Sequence, residues 1–129
     1  YAQTQCPDLI LSEHSTWKRI YLHRMKHSEI CIASTGLHQS AGWKIAEYLA
    51  AGRAIVSEPL CYEVPGPFQA GENYLTYTSA DGCIEQIRTL LAHPEQILQM
   101  GQKNRAYYDA WLRPDQIVAK ALEQAKISL

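Results

Sequence analysis

Charge of one sign is what this sequence most lacks. Lys and Arg total 12 against 13 Asp and Glu, a formal net charge of -1, with both signs spread along the chain. No electrostatic footprint for nucleic acid or an anionic membrane follows, so neither is an expected partner. No apolar run approaches the ~18 residues that a membrane span requires, and no charged-then-apolar leader stands in front. The cysteines Cys6, Cys31, Cys61 and Cys83 are far apart and form no C-x-x-C pair. With no secretory segment ahead of them they read as reduced thiols, and the expected location is cytoplasmic. The sequence shows no repeat, low-complexity tract or internal linker. It opens "YAQTQCPD" without methionine, which reads as a fragment or a processed chain.

What is present suffices for one domain over residues 1–129. An apolar share of 47% can build a core that buries roughly two-thirds of the unfolded surface. A short strand is expected at Leu9–Leu11, then a helix capped by Ser15 or Thr16, whose buried face carries Trp17, Ile20, Tyr21 and Met25. "EICIAS" follows, and its unbroken apolar run from Ile30 to Ala33 predicts a strand covered on both faces. The turn "STGLHQSAG" leads into "GWKIAEYLAAGRAIVSEPL", residues 42–60. Here Ile45, Ala46, Leu49 and Ala50 form a helical stripe, Gly52 ends the helix, and Ala54–Ser57 is a second buried strand.

"EPLCYEVPGPFQAGEN" holds three prolines and two glycines, so it reads as an irregular loop of the length that is usually functional. "YLTYT" alternates and predicts a third strand nearer an edge. Ser79 or Asp81 then caps a helix with Cys83, Ile84, Ile87, Leu90 and Leu91 on one side. Pro94 opens the next helix, with a stripe of Ile97, Met100, Asn104, Tyr107 and Trp111. Pro114 opens the last, with Ile117, Val118, Ala121, Leu122 and Ala125 on one side. Alternation of helix and strand implies a parallel sheet with right-handed crossovers, so the class is α/β, with a helical C-terminal tail. Only three or four strands are counted, which makes the chain look like part of something larger.

In such sheets ligands bind beyond the carboxyl ends of the strands. "STGLHQSAG" is the leading segment there, because it feeds a helix N-terminus whose amides and dipole favour a phosphate. Gly36 and Gly42 would let the backbone approach such a ligand. His38, Gln39 and Ser40 lie in the same loop, and Lys44 in the first helical turn could add a cation. Glu47 stands five residues after Gly42, about 7.5 Å along a helix. That separation suits a nucleotide diphosphate, with phosphates at the helix start and a ribose diol on the carboxylate. On spacing alone a solvated acid on a wet helix face is the commoner explanation of such a Glu47.

Other features have plainer readings. His23 and His27 have a zinc-compatible spacing, but nothing completes a four-ligand set, so no metal is expected. Cys31 and Cys61 read as buried packing thiols, lacking the basic surroundings that activate one. Trp17, Tyr21, Tyr107 and Trp111 fit helical core stripes. Trp43 covers the candidate ligand loop or packs on the "YEVPGPF" loop, and Tyr62 and Glu63 meet a donor sugar or a neighbouring domain.

The run Glu47-Tyr48-Leu49-Ala50-Ala51-Gly52-Arg53-Ala54-Ile55-Val56 resembles the "E-A-x-A-x-G-x-P-V-V" signature of the C-terminal, donor-binding half of GT-B glycosyltransferases. The resemblance covers roughly residues 17–125 and is to the bacterial "glycosyl transferases group 1" type and its spore-protein-like relatives. It implies a Rossmann-like fold and, for the full-length protein, a hexosyltransferase type of activity. It also implies that Glu47 binds the donor ribose and that amides near Gly42 hold the diphosphate. The nucleotide-diphosphate sugar is then the donor substrate, with no tightly bound cofactor.

Many relatives carry a second glutamate eight residues before the first, where this chain has Gln39, and proline where it has Ala54. The resemblance places acceptor and catalytic groups in a missing N-terminal domain, so the isolated chain is expected to be inactive. An apolar surface left bare by that domain would let the fragment pair with itself. Two other readings stay open, a non-catalytic interaction module with a retired site and a fragment of a sugar-nucleotide epimerase.

Overall fold

The computed structural model describes residues 17–127. The strand expected at Leu9–Leu11 and the cap at Ser15 or Thr16 lie outside the described residues. In chain order the elements are α1 (Lys18–His27), β1 (Ile30–Ala33), a 3-10 turn (Leu37–Gln39), α2 (Trp43–Ala50), β2 (Ala54–Ser57), β3 (Leu75–Thr76), α3 (Ala80–Ala92) and α4 (Pro94–Tyr107). A π-helical turn (Tyr108–Leu112) and α5 (Pro114–Ile127) complete the chain. The sheet is parallel throughout, in the order β1-β2-β3, with Ile30 opposite Ala54 and Val56 opposite Leu75. The fold is therefore the expected α/β, a small Rossmann-like parallel sheet flanked by helices with a helical tail.

β2 is central and fully buried, and its alternating side chains divide the core. Ile55 points to a cluster with Met25 of α1, Ile45, Tyr48 and Leu49 of α2, and Tyr107 from the end of α4. Ala54 and Val56 point to the other face, against Cys83 and Leu90 of α3 and Met100 of α4. Burying each of the large aliphatic side chains contributes about 1.5–3 kcal/mol. β3 has only two residues, too few to pair the whole outer edge of β2, and the Ile55 amide donates instead to Met100 Sδ at 3.3 Å.

Local signals behave as the sequence predicts at the element ends. Gly52 has φ +62, and around it Gly52 N donates to the Leu49 carbonyl and Arg53 N to the Tyr48 carbonyl, the paired bonds of a Schellman end. Ser79 caps α3, its Oγ accepting from Gly82 N at 3.1 Å. Pro94 occupies the first turn of α4. Residues 58–73 form an irregular connection, as their prolines and glycines predict.

Several expected faces differ. Trp17 is exposed, so the buried stripe of α1 rests on Met25, with Ile20 and Tyr21 half-buried. Ile32 is 49% exposed because β1 is an edge strand whose α3-side face is not covered there, so β1 is not buried on both faces. On α2, Tyr48 takes the buried place expected of Ala46, and its hydroxyl donates to the Ile32 carbonyl at 3.2 Å. Ile84 and Leu91 of α3 face outward, as do Ile117, Val118, Ala121, Leu122 and Ala125 of α5. α5 meets the rest of the fold through the π-helical turn, where Lys120 Nζ lies over the Trp111 ring, and nothing among the described residues covers its apolar stripe.

Candidate functional site

Because the strands are parallel, all three end at one edge of the sheet, and the loops that leave them converge there. The loop after β1 closes on itself: Gly36 N donates to the Ser40 carbonyl at 2.8 Å and Gln39 N to the Gly36 carbonyl at 3.0 Å. This closure requires His38 and Gln39 to adopt φ +56 and +59 in succession. For residues with a Cβ that region costs about 1–2 kcal/mol each, a strain found where surrounding structure over-determines a functional backbone. Tyr62 reaches across from the irregular loop and donates its hydroxyl to the His38 carbonyl at 3.2 Å.

Gly42, extended, ends this loop as the N-cap of α2, and no side chain caps the amides that follow. Uncapped first-turn amides carry the positive end of the helix dipole and favour an anion. Lys44 is exposed in that first turn. Trp43 is 62% exposed, with its ring under Lys18 Nζ at 5.2 Å and 6.4 Å from that of Tyr21. On its other side it lines an apolar cleft of about 200 Å³ shared with Leu60, Val64, Pro65 and Phe68. The cleft sets Trp43 beside the "YEVPGPF" loop, the second of its two sequence readings, while its other side meets α1 and not the ligand loop.

Glu47 faces α1. Its Oε1 pairs with Lys18 Nζ at 3.3 Å, and its side chain is 20% exposed. Its Oε2 is buried with no hydrogen-bond partner among the described residues, and the same holds for the Tyr21 hydroxyl. Burial, with Glu47 and Tyr48 close by, raises the Tyr21 phenol far above its ordinary range, so it stays protonated. The Tyr21 phenol is thus a donor beside the Glu47 carboxylate, whose Oε2 is closed to solvent while Oε1 is turned to Lys18.

At the carboxyl edge a cleft of about 280 Å³ is lined by Thr35, Gln39, Glu58, Cys61, Tyr77 and Thr78. Glu58 follows β2 directly, and its Oε2 accepts from both the amide and the hydroxyl of Thr35, each at 2.7 Å. These bonds hold the Glu58 carboxyl below the usual range. With a depressed folded value, this anchor stabilises fully above the ordinary 4.5 and fades as pH falls through the lower folded value. Glu58→Gln should therefore lose less of its unfolding midpoint than the wild type between pH 5 and pH 3, as followed by thermal melts; an unchanged acid limb would show that the anchor does not form.

A family model described as "Glycosyl transferase-like" matches residues 9–127. The chain belongs to the glycosyl transferase-like family. No curated protein and no solved structure matches it.

In this glycosyl transferase-like domain the predicted site residues fall into four places. Gly36, His38 and Ser40 shape the strained loop, Gly42 and Lys44 start α2, and Glu47 stands on the α1 side while Gln39 lines the Glu58 cleft. Sequence reasoning missed Lys18, whose contact with Glu47 spans 29 residues and leaves no local signal. It also missed Glu58, although the position after a parallel strand was itself a signal.

Cys31 is buried, with its thiol pushed up to about 11 by that burial, as a packing role predicts. Cys61 is exposed instead, because its proline-flanked loop lies on the surface. Among the described residues no cluster of His, Cys, Asp and Glu could hold a metal, and no helix is long and apolar enough to cross a membrane. The His23 and His27 rings lie 4.2 Å apart, with His27 Nδ1 bonded to the His23 carbonyl within the helix.

Proposed function

We propose that the domain binds the nucleotide-diphosphate sugar donor of a glycosyltransferase, as the C-terminal half of a GT-B architecture. The observation that carries this reading is the uncapped, glycine-led start of α2 after the loop from β1, with the Glu47 carboxylate farther along the same helix and the Gln39 cleft on the loop before it. In a donor the diphosphate likewise lies between ribose and sugar. Glu47 accepts from the ribose diol, the first-turn amides of α2 with Lys44 hold the diphosphate, and the loop from Gly36 to Ser40 carries the backbone past it. As the glycosidic bond to the leaving diphosphate breaks, the anomeric carbon gains oxocarbenium character and negative charge grows on the diphosphate. A fixed helix dipole stabilises that charge without reorganising. The acceptor and the catalytic groups belong, on this reading, to a preceding domain.

Calorimetric titration of the chain with UDP, GDP and their common sugar conjugates tests the reading. Saturable binding is expected, weakened about 10–100-fold by Glu47→Ala, the effect of losing hydrogen bonds to a charged acceptor. Silence toward every probe, or binding indifferent to Glu47→Ala, would overturn it.

A further inference from the structure

The cleft at the carboxyl edge combines features that a phosphate site would not have. Its lining includes the carboxylate of Glu58 and no Lys, Arg or His. A fixed negative charge repels a diphosphate and suits a neutral polyhydroxyl group, for which a carboxylate is an acceptor of several hydrogen bonds. Glu58 is also held in place in advance. Both Thr35 bonds fall on Oε2, so the anchor fixes the carboxylate plane without engaging Oε1. Tyr77, which could compete, donates its hydroxyl to the Ala33 carbonyl at 3.0 Å and serves as a wall. Gln39 enters the cleft from the strained loop, its backbone tied to Gly36, and its amide both donates and accepts. Gln39 thus joins the cleft to the loop that leads to α2.

We propose that Glu58 reads the hydroxyl groups of the donor's sugar ring, accepting from them through Oε1, with Gln39 as the second polar contact. The proposal rests on the donor reading above and adds a specificity residue to it. Sites built to hydrogen-bond a hydroxyl discriminate strongly against analogues that lack or invert it, because a fixed acceptor is then left unmet. Glu58 therefore separates sugar recognition from nucleotide recognition: Glu47 and the α2 amides hold what UDP and its conjugates share, and Glu58 holds only what the conjugates add.

The test is calorimetry on the full 129-residue chain. UDP is compared with UDP-glucose, UDP-galactose and UDP-N-acetylglucosamine, and GDP with GDP-mannose. For at least one conjugate Glu58→Gln should lower affinity about tenfold, while affinity for the parent diphosphate stays within twofold. Gln39→Ala, on an exposed loop, should lower the same conjugate-to-diphosphate ratio, which covers the case in which Glu58→Gln fails to fold. Equal weakening of diphosphate and conjugate, or no change in either, would reduce Glu58 to an anchor for Thr35 and overturn the proposal. Wild-type binding that ignores the sugar would also overturn it while leaving the donor reading intact. Failure of the wild type to bind any diphosphate would overturn both.

Discussion

Gly101→Ala should destabilise the protein by about 2 kcal/mol, and Gly101→Val by about 3 kcal/mol, as overpacking does in a close-fitted interior. In an ordinary helix interior the alanine change would instead stabilise by up to about 1 kcal/mol. The sign reverses because α4 crosses the end of α2 backbone to backbone. A Cβ on Gly101 would come within 2.5 Å of the Gly52 carbonyl oxygen, and Gly52 is itself fixed by its φ of +62 at the end of α2. Neither partner can yield without opening the turn that delivers β2 to the centre of the sheet. Urea unfolding of the two variants checks this, with an unchanged m-value expected. Stabilisation by Gly101→Ala would show that the two backbones lie further apart.

A second large effect is expected at Asn104. It is fully buried, donates through Nδ2 to the Arg53 carbonyl at 2.7 Å and the Asn73 carbonyl at 2.9 Å, and accepts from Asn73 Nδ2 at 3.1 Å. Asn73 in turn accepts from Gln69 N, so one buried pair of amides fastens α4 to the irregular loop and to the approach to β2. Asn104→Leu keeps the volume and removes the bonds, leaving the buried Nδ2 and carbonyl of Asn73 and the part-buried carbonyl of Arg53 without these partners. At about 1–3 kcal/mol for each such group, with partial relaxation, a loss of about 3 kcal/mol is expected. The double variant with Asn73→Ala should cost clearly less than the two single losses together, because both act on one network. Strict additivity in the double-mutant cycle would contradict the coupling.

The parts of this fold that were legible in the sequence are those fixed locally. Gly52, Ser79 and Pro94 mark element ends by their own backbone chemistry, and the alternation of elements is enough to imply the parallel sheet. The stripe of α4 was readable down to Asn104, although its polar partner Asn73 was not. Periodicity says which residues share a face, and not whether anything covers that face. Hence Ile117, Val118 and Leu122 of α5 share a face and still meet solvent, and the unbroken run of β1 conceals an exposed Ile32 on an edge strand. The candidate site divides in the same way. Gly36, Gly42 and Glu47 stand out through composition and spacing within one stretch. The Lys18 contact to Glu47 and the Thr35 anchor on Glu58 depend on loops and helices brought together by the sheet.

The central claim is that a nucleotide diphosphate lies across the start of α2 with its ribose beside Glu47. The most direct test is an amide-resolved NMR titration of the chain with UDP and with GDP. The account predicts that the largest shifts fall on Gly36, Gly42, Trp43 and Lys44, accompanied by the Trp43 indole, and that Glu47→Ala weakens them. Shifts centred instead on Arg53, Gln102 and Arg105, which line the cleft at the opposite end of the strands, would contradict it.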